Sequence, residues 1–150
     1  MVQYIDLKSQ YARLKDRIGD NITDVLEGGQ YVLGPAVKNF ESEMSDYLGV
    51  KHALGVSNGT DAIIMALLGL DLTPQDAVFV PSFTYVATAE AILMGNATPV
   101  FVDVDEKSFN IDPADLSARI EAVKKEGKLA PRVIVAVDLF GQPADYQALR

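Results

Sequence analysis

The residues of this chain whose types and spacing suit chemistry lie in segment 56–62, where a short apolar stretch enters an apolar helical pattern. Gly59 allows a close approach to the backbone there, and Thr60 follows with a hydroxyl. The first amides of a helix have no partner within it and carry the positive end of its dipole, so they can hold an anion such as phosphate. The residues alone leave a second interpretation open, in which Asn58 or Thr60 only caps the helix.

A second segment, residues 81–88, follows the next apolar stretch and carries two aromatic rings, Phe83 and Tyr85. If both apolar stretches are parallel strands, the two segments lie at the same edge of the sheet, where open α/β sheets bind ligands. Periodicity alone favours a core role for Tyr85. A phosphate seat and a flat ring at one edge, taken together, suggest a cofactor.

The order of the elements predicts an α/β fold. Two amphipathic helices come first, one ending at residues 28–29 and one running from Pro35 to Gly49, the second with an inward face of Val37, Phe40, Met44 and Tyr47. Strands then alternate with helices. Because the strands are apolar almost throughout, we expect a mostly parallel sheet with helices on both faces, a three-layer α/β/α arrangement. The predicted strands are residues 53–56, 78–80, 99–102 and 133–137, and the predicted helices are residues 60–70, 85–94, 113–123 and one opening near Pro143.

Composition excludes several classes of function. The 150 residues carry a formal net charge of -8 without a basic run, which argues against nucleic acid as a partner. No cysteine is present, so thiolate metal sites and cysteine nucleophiles are excluded. Segment 103–114 is rich in aspartate, yet Ser108 and Ala114 stand where a calcium loop needs glycine and glutamate, so we predict no metal site. No apolar run of signal-peptide or membrane length occurs, which favours a cytoplasmic protein with no membrane partner.

Several segments together resemble the DegT-type sugar aminotransferases, fold-type-I enzymes that use pyridoxal 5'-phosphate. The resemblance covers essentially the whole chain and rests on residues 5–11, 29–35, 58–62, 81–88, 101–105, 110–113 and 138–145. It implies that Gly59, Thr60 and Asp61 bind the phosphate of the cofactor. Asp61 is expected to give its amide, because its carboxylate would repel the anion. The resemblance also implies that Tyr85 stacks on the pyridine ring, with Phe83 as the alternative.

The same resemblance predicts the chemistry and its partners. Such enzymes transfer an amino group from an amino-acid donor, here expected to be glutamate or glutamine, to a nucleotide-linked keto-sugar, and they work as homodimers. Tyr31 is expected to border the sugar, with simple packing as the other interpretation. No catalytic residue is assigned, because none of the lysines stands in the family's Ser-Phe…Lys context. We expect the lysine that holds the cofactor to lie beyond Arg150.

Residues 1–150 are therefore interpreted as the partial, N-terminal portion of a cofactor-binding large domain, with helices in residues 1–50 and strand-helix repeats in residues 51–150. On that interpretation the chain is truncated before the remaining strands and a C-terminal domain, and is inactive alone. Two alternatives stay open. One is a sugar dehydratase of the same broad family, in which the lysine is replaced, and the other is a short binding module that uses half of the fold without catalysis.

Overall fold

A computed structural model describes residues 4–150 of the chain. The chain divides into two compact units, Met1–Gly55 and Val56–Arg150. The first unit holds helices α1 (Leu7–Gly28) and α2 (Pro35–Leu48). The second unit holds α3 (Gly59–Leu68), β1 (Asp76–Pro81), α4 (Ala87–Met94), β2 (Thr98–Val102), α5 (Pro113–Glu126), β3 (Ala130–Ile134) and a short 3-10 helix (Leu139–Gly141). Within the described residues, no helix has the length and apolar character needed to cross a membrane.

The two helices of the first unit begin and end where the sequence predicts. The Asp6 carboxylate accepts the Ser9 amide at 3.0 Å and caps α1, and Pro35 takes the first position of α2. Gly29 and Gly49 end the helices in the left-handed conformation, with φ of 65° and 64°. The expected inward face of α2 is found only in part, because Val37 and Met44 are half-buried while Phe40 and Tyr47 are exposed, and no residue of either helix is fully buried. The described part of this unit contains no sheet against which such a face could pack.

The second unit is built on a parallel sheet with strand order β2-β1-β3. The predicted α/β fold with a parallel sheet is confirmed. β1 is the central strand, and five of its six residues are buried. A strand that is paired on both edges and covered on both faces must be apolar throughout, which explains the uninterrupted run in the sequence.

The side chains of β1 alternate between two hydrophobic cores. Val78 and Val80 face a cluster that includes residues of α3 and α4, among them Leu67 and Ile92. Ala77 and Phe79 face the opposite cluster, which is built mainly with α5. Because successive side chains of a strand point to opposite faces, this single strand fills both cores and defines the three layers α/β/α.

The connections bring the ends of several elements to one edge of the sheet. α4 links β1 to β2 on one face, and α5 links β2 to β3 on the other face while the chain moves in the opposite direction, so both crossovers have the same hand. α3 returns to β1 through the short connection 69–75 and therefore runs antiparallel to it. The N-terminus of α3 consequently lies at the edge where the parallel strands end.

Three predicted elements differ from the structure. Residues 53–56 form no strand, because no strand within the described part of the chain pairs with them. β3 lies earlier than predicted, at Ala130–Ile134, since pairing already begins where the Ala130 amide donates to the Gln75 carbonyl at 2.7 Å. The helix predicted near Pro143 is absent, because side chains satisfy the backbone there in another way: the Asp138 carboxylate accepts the Ala144 amide at 3.0 Å.

The burial of Phe79 predicts a large loss of stability when its ring is removed. Phe79 is 1% exposed in the core under α5, so Phe79→Ala should lower the free energy of unfolding by about 3–5 kcal/mol. Phe101 on the neighbouring strand is 51% exposed and serves as the matched control. Chemical denaturation followed by circular dichroism measures both variants, and an equal loss in the two would contradict the assignment of the core.

Candidate functional site

The N-terminus of α3 is capped by its own flanking side chain. The Asn58 Oδ1 accepts the amide of Asp61 at 2.9 Å, and the Asn58 carbonyl accepts the amide of Ala62 at 3.2 Å. Helix geometry leaves the amides of Gly59 and Thr60 without an acceptor inside the helix. The cap therefore uses the third amide and leaves the first two at the helix mouth, where they can donate to an anion.

Asp61 differs from the sequence-based expectation in one respect. Its amide was expected to bind a phosphate, yet that amide already donates to Asn58. Its carboxylate is held by the Ser57 hydroxyl and, at 3.1 Å, by the Asn58 side-chain amide. These contacts fix the negative charge of Asp61 in the cap, and an anion at the helix mouth would compete with Asn58 for the Asp61 amide.

The backbone at Gly59 is open to solvent. A Cβ atom added at Gly59 would meet no atom within 4 Å, so the backbone is open on the side that a side chain would otherwise cover. The backbone is closely packed where α4 ends, because a Cβ atom added at Gly95 would lie 2.9 Å from the Leu67 Cβ. The C-terminal end of α3 thus packs closely against α4, while the N-terminus of α3 is open to solvent.

Tyr85 lies in the turn between β1 and α4. The Ser82 amide donates to the Val102 carbonyl at 2.8 Å and fixes the start of this turn on β2. Tyr85 was predicted inside the helix, but α4 begins at Ala87, and the Tyr85 carbonyl accepts the Thr88 amide at 3.0 Å. The Tyr85 ring is 77% exposed, so it is not a core aromatic and can cover a ligand.

Phe83, the alternative ring, already has an aromatic partner. Its ring centroid lies 5.6 Å from that of Phe109, with an interplanar angle of 44°. This separation is within the range in which aromatic rings attract one another. The structure therefore favours Tyr85 over Phe83 as the ring free to stack on a flat ligand.

Tyr31 belongs to the first unit, in the loop after α1. Its hydroxyl donates to the Leu26 carbonyl in the last turn of α1 at 3.2 Å, and the residue is 63% exposed. This bond satisfies one of the free carbonyls at the helix end. The local role of Tyr31 is therefore to secure the end of α1.

Asn110 is a residue that sequence reasoning did not single out. It is 5% exposed, and its side-chain amide donates to the carbonyls of Gln142 and Pro143 at 3.0 and 3.1 Å. Its Oδ1 accepts the Leu139 amide at 3.2 Å. Asn110 therefore ties the loop after β2 to the segment that follows β3. Its signal in the sequence is its place in segment 110–113, one of the segments on which the family resemblance rests.

Asp138 anchors the same segment from its other side. Its carboxylate accepts the Ala144 amide at 3.0 Å and the Tyr146 hydroxyl at 2.8 Å. The Ala144 amide, and then the Tyr146 hydroxyl, hold the pKa of the Asp138 carboxyl below its ordinary value. The structure shows Asp138 closing a loop.

The fold and the site together define a class of protein. A parallel sheet with helices on both faces carries, at the carboxyl edge of its strands, an open helix mouth and an exposed aromatic ring, which is the arrangement of an α/β ligand-binding domain. Residues 12–150 match the DegT/DnrJ/EryC1/StrS aminotransferase family, and the chain belongs to that family.

Relatives and solved structures agree with this assignment. The chain is 43% identical over 149 residues to the UDP-2-acetamido-2-deoxy-3-oxo-D-glucuronate aminotransferase of Pseudomonas aeruginosa, covering 99% of this chain and 40% of that protein. The crystal structure of a DegT DnrJ EryC1 StrS aminotransferase from Brucella abortus superposes with a TM-score of 0.93 at 47% identity, over 99% of this chain and 40% of that one. The structure of NtdA from Bacillus subtilis, solved with bound cofactor PMP, superposes with a TM-score of 0.80 at 33% identity, over 89% of this chain and 29% of that one.

The cap on α3 predicts a moderate, local effect on stability. Asn58→Ala removes the acceptor for the Asp61 amide and should lower the free energy of unfolding by about 1 kcal/mol. Asn58→Ser keeps a capping oxygen and should stay close to wild type. Denaturant titration compares the two, and equal losses would show that the side-chain oxygen is not the stabilising group.

The carboxylate of Asp138 predicts a pH dependence with a defined sign. A carboxyl whose pKa is lowered by folding stabilises the fold above its unfolded pKa of about 4, and this contribution disappears as the pH falls through the lower folded value. The difference in unfolding free energy between wild type and Asp138→Asn should therefore be constant near neutral pH and shrink below about pH 4. Denaturation at a series of pH values measures this difference, and a difference that grows on acidification would refute it.

Proposed function

We propose that this chain forms part of the cofactor-binding domain of an aminotransferase that uses pyridoxal 5'-phosphate and acts on a nucleotide-linked keto-sugar. The observation that supports it most directly is the open mouth of α3 at the same sheet edge as the exposed ring of Tyr85, in a chain that belongs to an aminotransferase family. The chain spans 40% of the length of the Pseudomonas relative, so the complete activity is proposed for the protein that contains this domain.

The phosphate of the cofactor is assigned to the mouth of α3. The amides of Gly59 and Thr60 are free of intrahelical acceptors, and the Thr60 hydroxyl adds a third donor. Asp61 joins them through its amide when a phosphate oxygen shares or replaces the Asn58 oxygen as acceptor. Neutral backbone donors suit this task because they bind a dianion without a proton change.

The ring of the cofactor is assigned to Tyr85. A tyrosine face against the pyridine ring holds it flat and excludes water from one side, which strengthens the charge interactions around the ring. The chemistry that pyridoxal phosphate supplies when bound is amino-group transfer, for which its ring accepts electrons from the reacting carbon. We assign no catalytic residue within this chain, whose part in the reaction is to bind and orient.

The remaining partners follow from the relatives. The Pseudomonas protein is named for a UDP-linked 3-oxo sugar, which supports a nucleotide-linked keto-sugar as the substrate class here. Glutamate is the proposed amino donor, and the exposed ring of Tyr31 is proposed to border the sugar. We also propose a cytoplasmic homodimer. The apolar residues exposed along α1, such as Tyr11 and Ile22, offer a surface of the kind that subunit contacts cover.

Paired variants test the two halves of this site separately. Thr60→Val removes a hydroxyl donor and should weaken binding of both inorganic phosphate and pyridoxine 5'-phosphate by about tenfold, as expected for a hydrogen bond to a charged group. Tyr85→Ala should weaken only pyridoxine 5'-phosphate, since inorganic phosphate has no ring. This alcohol form is used because it lacks the aldehyde that reacts with surface lysines.

Isothermal titration of the full chain measures each affinity. The matched control is Thr98→Val: its hydroxyl donates to the Pro74 carbonyl at 2.7 Å at the start of β2, the sheet edge opposite to the proposed site. This variant should bind both ligands like wild type. A wild-type chain that binds pyridoxine 5'-phosphate no more tightly than inorganic phosphate would refute the proposed cofactor site.

A further inference from the structure

The loop after β2 is closed on itself and strained at one residue. Val104 and Ile111 form an antiparallel bridge, and the Asp105 side chain accepts the amides of Lys107 and Ser108 at 3.1 and 2.8 Å. After the turn of this loop, Phe109 has a φ of 59°, in the left-handed region that a bulky residue rarely adopts. The surrounding bonds must impose that conformation, because an isolated phenylalanine would avoid it.

Both the backbone and the ring of Phe109 have defined contacts. Phe109 donates its amide to the Asp105 carbonyl at 2.9 Å, and the Asp105 amide donates to the Asn110 carbonyl at 2.9 Å. These two bonds fix the backbone on both sides of Phe109. The Phe109 ring contacts Phe83, two residues before Tyr85 in the turn that leaves β1.

Asn110, the residue after Phe109, binds the same loop to the segment that follows β3. The buried side chain of Asn110 makes three hydrogen bonds to residues 139–143. Asn110 therefore anchors the loop to the segment after β3, while the neighbouring residue Phe109 contacts the turn after β1. A loop held on one side in this way can brace the turn on the other side.

We propose that Phe109 is a positioning residue for Tyr85: its ring supports Phe83 and thereby sets the place of the turn that presents the Tyr85 ring to the ligand. This inference rests on the proposed function, because it concerns the ring-binding half of that site. Phe109 itself is 44% exposed, so its ring is not fully buried and its removal leaves the two cores intact.

The test separates positioning from folding by using two ligands. Phe109→Ala should raise the dissociation constant of pyridoxine 5'-phosphate by about threefold to tenfold, the loss expected for one aromatic pair, and should leave that of inorganic phosphate unchanged. Phe109→Tyr keeps a ring and should restore wild-type affinity. Phe101→Ala removes a phenylalanine of similar exposure from β2 and should change neither constant.

A double variant provides the readout that a merely structural role would not move. If Phe109 acts through Tyr85, then Tyr85→Ala with Phe109→Ala should bind pyridoxine 5'-phosphate as Tyr85→Ala does alone, since the positioned ring is already gone. Additive losses, or a loss of affinity for inorganic phosphate in Phe109→Ala, would overturn the inference. Should Phe109→Ala not fold, Phe83→Leu removes the same ring pair from its other side and should show the same selective loss.

Failure of the inference is distinguishable from failure of the proposed function. If the wild-type chain does not prefer pyridoxine 5'-phosphate over inorganic phosphate, the proposed cofactor site fails. If wild type has that preference and Phe109→Ala retains it in full, the site stands and the positioning role is wrong.

Discussion

The burial of β1 on both faces and both edges is the constraint on which the second unit depends. Its residues alternate between the core under α3 and α4 and the core under α5, so one strand decides where helices lie on either side of the sheet. Because α3 packs on this strand and runs antiparallel to it, the helix mouth must lie where the strand ends. The turn with Tyr85 leaves the strand at that same end. The apolar packing around β1 therefore fixes where the N-terminus of α3 and the turn with Tyr85 lie.

The three segments that follow β1, β2 and β3 depend on one another rather than on the strands alone. Phe109 contacts the first segment and Asn110 binds the third. Phe140 in the third segment also has a left-handed backbone, with φ of 55°, and its side chain is 85% exposed. Strain of this kind persists only where neighbouring bonds impose the conformation, as the bonds of Asn110 and Asp138 do here.

Sequence alone predicts those parts of the molecule that follow from local chemistry. The glycines at residues 29 and 49 end their helices as expected, and the continuous apolar run of β1 marks a strand buried on both faces. The failures arise where distant partners decide. Residues 53–56 have the composition of a strand, but no strand among residues 4–150 pairs with them. Pro143 has the signal for a helix start. Side chains from Asn110 and Asp138 override that signal. Neither partner is visible in the local pattern.

The proposed anion site shows the same contrast between local and distant effects, because it lies in a chain that is acidic overall. The formal net charge of -8 acts at long range, where salt screens it beyond about 8 Å, whereas the donors at the mouth of α3 act at hydrogen-bonding distance. Asp61 is the acidic side chain that sits within the first turn, and its carboxylate is held in the cap by Ser57 and Asn58. A small dianion that reaches the mouth thus gains the free amides. A polyanion, whose charge extends past the screening distance in all directions, gains no such compensation along its length. This contrast supports the proposal of a compact phosphate on a small molecule, and the exposed ring of Tyr85 at the same edge supports one that carries a flat ring.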